Sequence, residues 1–445
     1  MKQEADLIHG PIASRMVLFA LPLAAGSILQ QLFNAADVSV VGRFVGSDAL
    51  AAVGANAPIV NFLVNLFLGL SVGTNIVISL LIGQNDRERI SRAVHTSLLL
   101  SFYCGIFLAF LGVSLARPLL TLISTPAEIL DPAVLYLRLY FLGMPFTMLY
   151  NFSAAILRSR GDTRRPFAAL LVSGGVNVLL NLLFVLVFHR GVDGVAIATV
   201  LANALSAAIL LVLLAKESGS FRLHLSQLRI DPMLLKQIVS MGLPAGLQTS
   251  MFSIANIIIQ SALNSLGSTY IAGSSVALNY EYFSFYMLNG FAQAAVTFTG
   301  QNFGAGNRKR CQYTLVWALG LGIAGTLLLD LVFLLFASGF AGLFSADPSV
   351  IAAAVSRMFR ILPFECFNAA IEIIAGMLRG MGKAALPTAI CAVGICLLRI
   401  VWVNTAFVRT PTFSVLMTAY PVSWIFTSAI LLVTVLWQLN KMKKT

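Results

Sequence analysis

The chain has 445 residues, of which 58% are hydrophobic and only 10% charged. Soluble domains carry roughly a quarter charged residues, so this composition excludes a soluble globular fold. The excess of 29 Lys and Arg over 17 Asp and Glu raises nucleic acid as a partner, but the basic residues sit between apolar segments and read as a topology signal instead.

Twelve apolar stretches are predicted, at about 16–41, 52–81, 94–116, 133–156, 167–188, 194–215, 238–263, 271–299, 313–338, 350–376, 384–407 and 414–438. Each is near the ~20 residues that cross a bilayer as a helix. They are continuous apolar runs without the period-two alternation of barrel strands, and lipid offers the backbone no hydrogen-bond partner, so an all-α integral membrane protein is expected. Met1 to Gly10 is polar and acidic, with no signal peptide, so the first stretch is expected to stay as a span.

The first segment carries Pro22, Asn34 and Asp37. A carboxylate in a span is costly and is a functional candidate by default. The alternative for Asp37 is an interfacial acid near the outer water, paired with Arg43. The fourth segment contains Pro145. The fifth carries Asn177 and Asn181, one turn apart on one face. Stacked amide oxygens near a carboxylate suit a hard cation or a proton relay; the alternative is hydrogen bonding between helices. The sixth is rich in small residues, which favours close helix packing. The longest loop with basic residues, about 216–237, joins two halves and contains Asp231-Pro232, a helix-start signal. A short amphipathic helix is expected there, tethering an N-terminal six-helix bundle (1–215) to a C-terminal one (238–445).

In the second half, Glu281 falls in the eighth segment, Asp330 in the ninth, and Glu365, Asn368 and Glu372 in the tenth, with Arg399 in the eleventh. The i, i+3, i+7 spacing puts the tenth-segment trio in one stripe. Two readings stand: a polar stripe lining a substrate cavity, or a buried structural ion pair with Arg399 as its cation. The four histidines (His9, His95, His189, His224) are expected at or near loops, and no spacing among them or the five cysteines suggests a metal site or a nucleophile. A Walker-type phosphate loop is also lacking, so energy is expected from an ion gradient or a separate subunit.

Twenty-one basic residues fall on alternate loops and the two ends; the opposite loops hold four, Arg43, Arg117, Arg190 and Arg409. The positive-inside rule then puts both termini in the cytoplasm. The halves also repeat. Leu157-Arg158-Ser159-Arg160-Gly161 through Pro166 recurs 221 residues later as Leu378-Arg379-Gly380-Met381-Gly382 through Pro387. Ala20-Leu21-Pro22 recurs as Gly242-Leu243-Pro244, and Gly83-Gln84-Asn85 as Gly300-Gln301-Asn302. Duplicated halves in so apolar a chain point to a transporter.

The order and spacing of Leu21-Pro22 through Asp37-Val38-Ser39-Val40-Val41-Gly42-Arg43, of Leu50-Ala51-Ala52-Val53-Gly54, of Gln293 to Gly306 and of the two Leu-Arg turns resemble the multidrug and toxic compound extrusion (MATE) transporters, over nearly the whole chain. The resemblance implies a V-shaped pair of pseudo-symmetric six-helix bundles, alternating access, and export of organic compounds, cationic or amphipathic, in exchange for Na+ or H+. It implies a cation site at Asp37, Asn177, Asn181 and Thr199. Asn34, Glu281, Glu365, Asn368, Glu372 and Arg399 are the candidates for the substrate cavity. The chain departs from the family pattern in having Asn181 where some members have Asp, Phe252 where the sodium-coupled branch has a seventh-helix acid, and Asn368 where that branch has Asp. The implied setting is the cytoplasmic membrane, multi-pass and monomeric, with small organic molecules and the bilayer as partners, no cofactor beyond the coupling ion, no nucleic acid and no enzymatic activity. The rivals are a lipid-linked oligosaccharide flippase, which calls for more cationic residues than Arg138, Arg357, Arg360 and Arg399 in the spans, and an integral-membrane enzyme, which calls for paired acids or histidines at a loop.

Overall fold

The computed structural model describes residues 7–441. Ten described helices are long and apolar enough to cross a membrane: Ile12–Phe44, Asp48–Gly83, Arg87–Leu122, Arg164–Val187, Val192–Ala215, Pro232–Asn264, Arg308–Leu335, Pro348–Gly380, Ala385–Phe407 and Phe413–Lys441. Ala127–Leu142 and Met144–Ser159 act together as an eleventh, bent by 44°. The expected eighth segment is the 37-residue helix Ser268–Gly304, which has the length to cross but is too polar for the same criterion. In chain order these are spans one to twelve. Their outer faces carry large aliphatic side chains open to the surroundings, such as Leu179, Leu328 and Val433. That is the pattern of a multi-pass membrane protein, in which lipid covers what water cannot.

The duplication extends to backbone geometry. Positive φ angles occur at Gly46 and Gly267, at Asn85 and Gly306, and at Gly161 and Gly382, each pair separated by the same 221 residues as the Leu-Arg turns. These are tight reversals after helices, where glycine adopts the left-handed region without steric cost. The next turn is also repeated. Asp86 accepts a hydrogen bond from the Arg89 N–H at 3.0 Å to cap span three, and Asn307 accepts one from the Arg310 N–H at 3.1 Å to cap span nine. Pro145 lies just beyond the bend of span four, and Pro363 lies in the short 3₁₀ turn Leu362–Phe364 that interrupts span ten. A proline inside a helix removes one backbone bond and crowds the preceding turn, which accounts for both breaks.

Two compact units divide the chain. One comprises Ala25–Gly246; the other joins the chain up to Ala24 to everything from Leu247 onward. The divisions fall beside Pro22 and Pro244 rather than in the linker, so spans one and seven each begin in one unit and end in the other. Within the Ala25–Gly246 unit, the start of span seven lies against span two through two glycine pairs. A Cβ on Gly73 would come 2.3 Å from the Ile238 carbonyl oxygen, and one on Gly246 would come 2.3 Å from that of Leu66. Only glycine permits backbones this close. In the other unit, Gly290, the repeat counterpart of Gly73 through the Gly83/Gly300 match, meets the Ala20 carbonyl in the same way, at 2.7 Å.

The linker differs from expectation. Residues 216–231 hold two short 3₁₀ turns, Gly219–Phe221 and Leu225–Gln227, and no amphipathic helix. Asp231 caps the N–H groups of Met233 and Leu234, at 3.0 and 3.2 Å, and Pro232 opens span seven itself. With apolar Met233, Leu234 and Leu235 following at once, nothing ends the helix before the membrane. The linker is fastened to span three. His95 is buried rather than at a loop; its Nδ1 lies 2.7 Å from the Ser91 carbonyl, so it carries the proton, and Nε2 accepts the His224 N–H at 3.1 Å. At the linker's start, Glu217 accepts hydrogen bonds from Arg160, at 2.6 Å, and from Arg165. Burial works to raise the Glu217 carboxyl, but the two guanidiniums outweigh it and hold the group below its ordinary range. A depressed carboxyl contributes stability that is present above its unfolded pKa and lost as pH falls through the folded one. Glu217→Gln is therefore expected to cost about 1–3 kcal/mol at neutral pH. The melting difference from the native protein should shrink as pH is lowered below the ordinary glutamate range, which thermal unfolding in detergent at several pH values measures.

Candidate cation site

Asp37 lies seven residues before the end of span one, Asn177 and Asn181 face it from span five, and Thr199 faces it from span six, all in the Ala25–Gly246 unit. The Asn181 amide donates to Asp37 Oδ1 and stands 3.4 Å from Asn177 Oδ1. Asn177 and Asn181 are buried, at 5% and 0% exposure, while Asp37 is half-buried. The Thr199 hydroxyl donates to the Val195 carbonyl at 3.0 Å and lies close enough to the Asp37 carboxylate to interact with it. Asn181 Oδ1 is buried with no hydrogen-bond partner among the described residues. The site thus gathers a carboxylate, two amide oxygens and a hydroxyl, all hard oxygen donors. Asp37 makes no ion pair with Arg43 among the described residues; Arg43 is exposed at the end of the helix.

Packing brings the two helices together at Gly174. A Cβ there would fall 1.7 Å from the Phe33 ring, one turn before Asp37. Gly174→Val is expected to push Phe33 away and separate Asp37 from Asn181, at a cost of about 1–3 kcal/mol for the overpacking. A lowered melting temperature together with weakened ion binding checks it; a change in neither contradicts it.

Two features of the site were not anticipated from sequence. Tyr136 and Tyr140 of span four stack at 6.1 Å and 19°, within electrostatic reach of Asp37. Their i, i+4 spacing on one helix face was the available signal. Directly after Asn181 the helix widens into a π turn, Leu183–Val187, a distortion common where a helix serves a site. Asn34 is not part of the constellation; it is exposed on span one.

The second-half candidates separate into four sets. Glu281 forms a two-pronged pair with Arg357, Nε to Oε1 at 2.7 Å and Nη2 to Oε2 at 2.9 Å, with both residues buried. Glu365 accepts from the Asn368 amide at 2.8 Å, and Glu372 pairs with Arg379 at 3.5 Å. Arg399 hydrogen-bonds none of these acids. It donates to Ser423 Oγ at 3.1 Å and Asn256 Oδ1 at 2.9 Å, and lies 4.2 Å from the Tyr420 ring centroid. Glu365, Asn368 and Glu372 all lie on the one helix Glu365–Gly380, where their spacing keeps them on one face, but Glu372 takes a separate partner and none of the three pairs with Arg399 among the described residues. Asp330 is buried at 1% exposure and accepts from Ser284.

The MatE family pattern matches residues 22–183 and again 244–403, one copy in each half. The chain is 28% identical over 383 residues to "Probable multidrug resistance protein YoeA" of Bacillus subtilis, covering 84% of this chain and 82% of that one. It is 24% identical over 405 residues to the "FAD transporter" of Shewanella oneidensis, covering 89% and 88%. A solved multidrug resistance MATE family transporter in an outward-facing conformation superposes with a TM-score of 0.93 at 23% identity, over all of both chains, which supports the fold. The helices, the repeat and these matches lead to one assignment: the chain belongs to the MATE family of membrane transporters and is not an enzyme.

Proposed function

We propose that this chain is a secondary active multidrug efflux antiporter of the cytoplasmic membrane, with both termini inside, exporting organic cations or amphipathic compounds in exchange for a monovalent cation. The observation that carries this reading is the set Asp37, Asn177, Asn181 and Thr199, one carboxylate among neutral oxygens with no basic partner among the described residues. A single negative charge away from bulk water is neutralised by one monovalent ion; a divalent ion would leave excess charge in a medium that solvates it poorly. Asn181, neutral where some relatives of this architecture have an acid, sets that count at one.

Exchange requires that ion and substrate favour different states of the protein. An ion bound at Asp37 stabilises the state that releases substrate outward, and by linkage the substrate lowers the affinity for the ion in equal measure. Spans one and seven, each with an internal proline and each shared between the two compact units, are the elements through which such a change would pass. The test is export into inverted vesicles with each gradient imposed alone. Stimulation by sodium at fixed pH, or by a proton gradient without sodium, identifies the coupling ion; export indifferent to both overturns the reading.

A further inference from the structure

The unit that begins at Leu247 holds a buried charge network outside the Asp37 site. Glu281 and Arg357 answer each other's charge through their two-pronged pair. Beside them stand two further carboxyls, Asp330 of span nine at 1% exposure and Glu365 of span ten at 3%. Glu365 lies within electrostatic reach of Asp330, Glu281 and Arg399, and Asp330 within reach of Glu281. Glu372 is occupied by Arg379.

Among the described residues Arg399 is the one cation left for two acids, and it hydrogen-bonds neither: it donates to Ser423 and Asn256 and lies against the Tyr420 ring. The remaining titratable neighbours are the Tyr420 and Tyr282 phenols and the Cys366 and Cys396 thiols, which supply no positive charge. Asp330 receives a bond from Ser284 on Oδ1, while Oδ2 is buried with no partner among the described residues.

Fully ionised, the network would hold three carboxylates against two guanidiniums. An uncompensated charge buried among packed helices is among the costliest arrangements a protein can hold. One added proton removes it.

We infer that Asp330 and Glu365 form a second ion site, which binds one proton between them and is independent of Asp37. Either carboxyl can carry the proton, so it is counted for the pair rather than for one residue. Protonation leaves Glu281–Arg357 intact and lets the other carboxylate balance Arg399.

Infrared spectroscopy of the full-length protein in bilayers at neutral pH tests this. The background variant is Asp37→Asn, which removes the first site's carboxyl and keeps the two proposals separable. The expected spectrum contains the C=O stretch of a protonated, water-shielded carboxylic acid, lost when Asp330→Asn and Glu365→Gln are added. Should that chain fail to fold, Asp330→Asn alone serves: two carboxylates then face two guanidiniums, and the band is again expected to vanish. No such band in the background, or a band that persists undiminished through these substitutions, overturns the inference.

Discussion

Replacing Asp37 with asparagine is expected to abolish gradient-driven export of organic cations while leaving the amount of inserted protein unchanged. The change is nearly isosteric, and Asn181, which donates to Oδ1 in the native protein, can still donate to the new amide oxygen. What disappears is the charge. Without it the neutral oxygens of Asn177, Asn181 and Thr199 no longer hold a cation strongly in one state. A coupling of about 3 kcal/mol corresponds to a factor on the order of 100 in relative affinity, and this is the scale of the expected loss. Efflux from energised cells, normalised to membrane-inserted protein, measures it. Asn177→Leu combined with Asn181→Leu leaves the carboxylate but removes the Asn181 donor and the Asn177 oxygen beside it, and is expected to impair coupling as well.

The second large effect is on stability. Arg357→Met is expected to destabilise the Leu247 unit by about 3–5 kcal/mol, because Glu281 is left buried without its cation. Arg357 is 2% exposed and uses two nitrogens on the Glu281 carboxylate. The double change Arg357→Met with Glu281→Met removes both charges together and should recover most of the loss, since a well-packed apolar pair often replaces a buried ion pair without penalty. All four tryptophans, Trp317, Trp402, Trp424 and Trp437, belong to this unit, so their fluorescence reports its unfolding directly. Equal losses from the single and double variants would contradict the assignment of the pair.

Much of this architecture is legible in the chain because membrane crossing imposes a coarse rule. Continuous apolar runs become helices. The first-unit constellation was legible through charge cost and helix spacing: Asp37 stands out as an acid in an apolar run, and Asn177 and Asn181 lie one turn apart. Thr199 was reached through family resemblance alone, since a threonine in a small-residue helix carries no signal of its own. Tyr136 and Tyr140 were missed because stacked aromatics in a span look like packing until a carboxylate is placed near them.

The second half was harder to read because its polar groups pair across helices. Spacing along span ten grouped Glu365, Asn368 and Glu372, yet Glu281 finds Arg357, Glu372 finds Arg379, and Arg399 turns to Asn256 and Ser423. Such choices depend on which helices are neighbours, which a one-dimensional period does not encode. The linker failed for a different reason: the helix-start signal at Asp231-Pro232 was correct, but the helix that it starts is span seven. The division of spans one and seven at Pro22 and Pro244 likewise follows from backbone contacts at Gly73 and Gly290, visible only once the helices are packed.

The most direct test of the central claim, that the Asp37 site couples an ion to export, is transport by the purified protein in proteoliposomes. Native protein and Asp37→Asn are compared under the same imposed ion gradient with a fluorescent organic cation. The account predicts that the native protein concentrates the compound only while the gradient lasts and that the variant at most equilibrates it. Concentration by the variant to the native level would contradict the account.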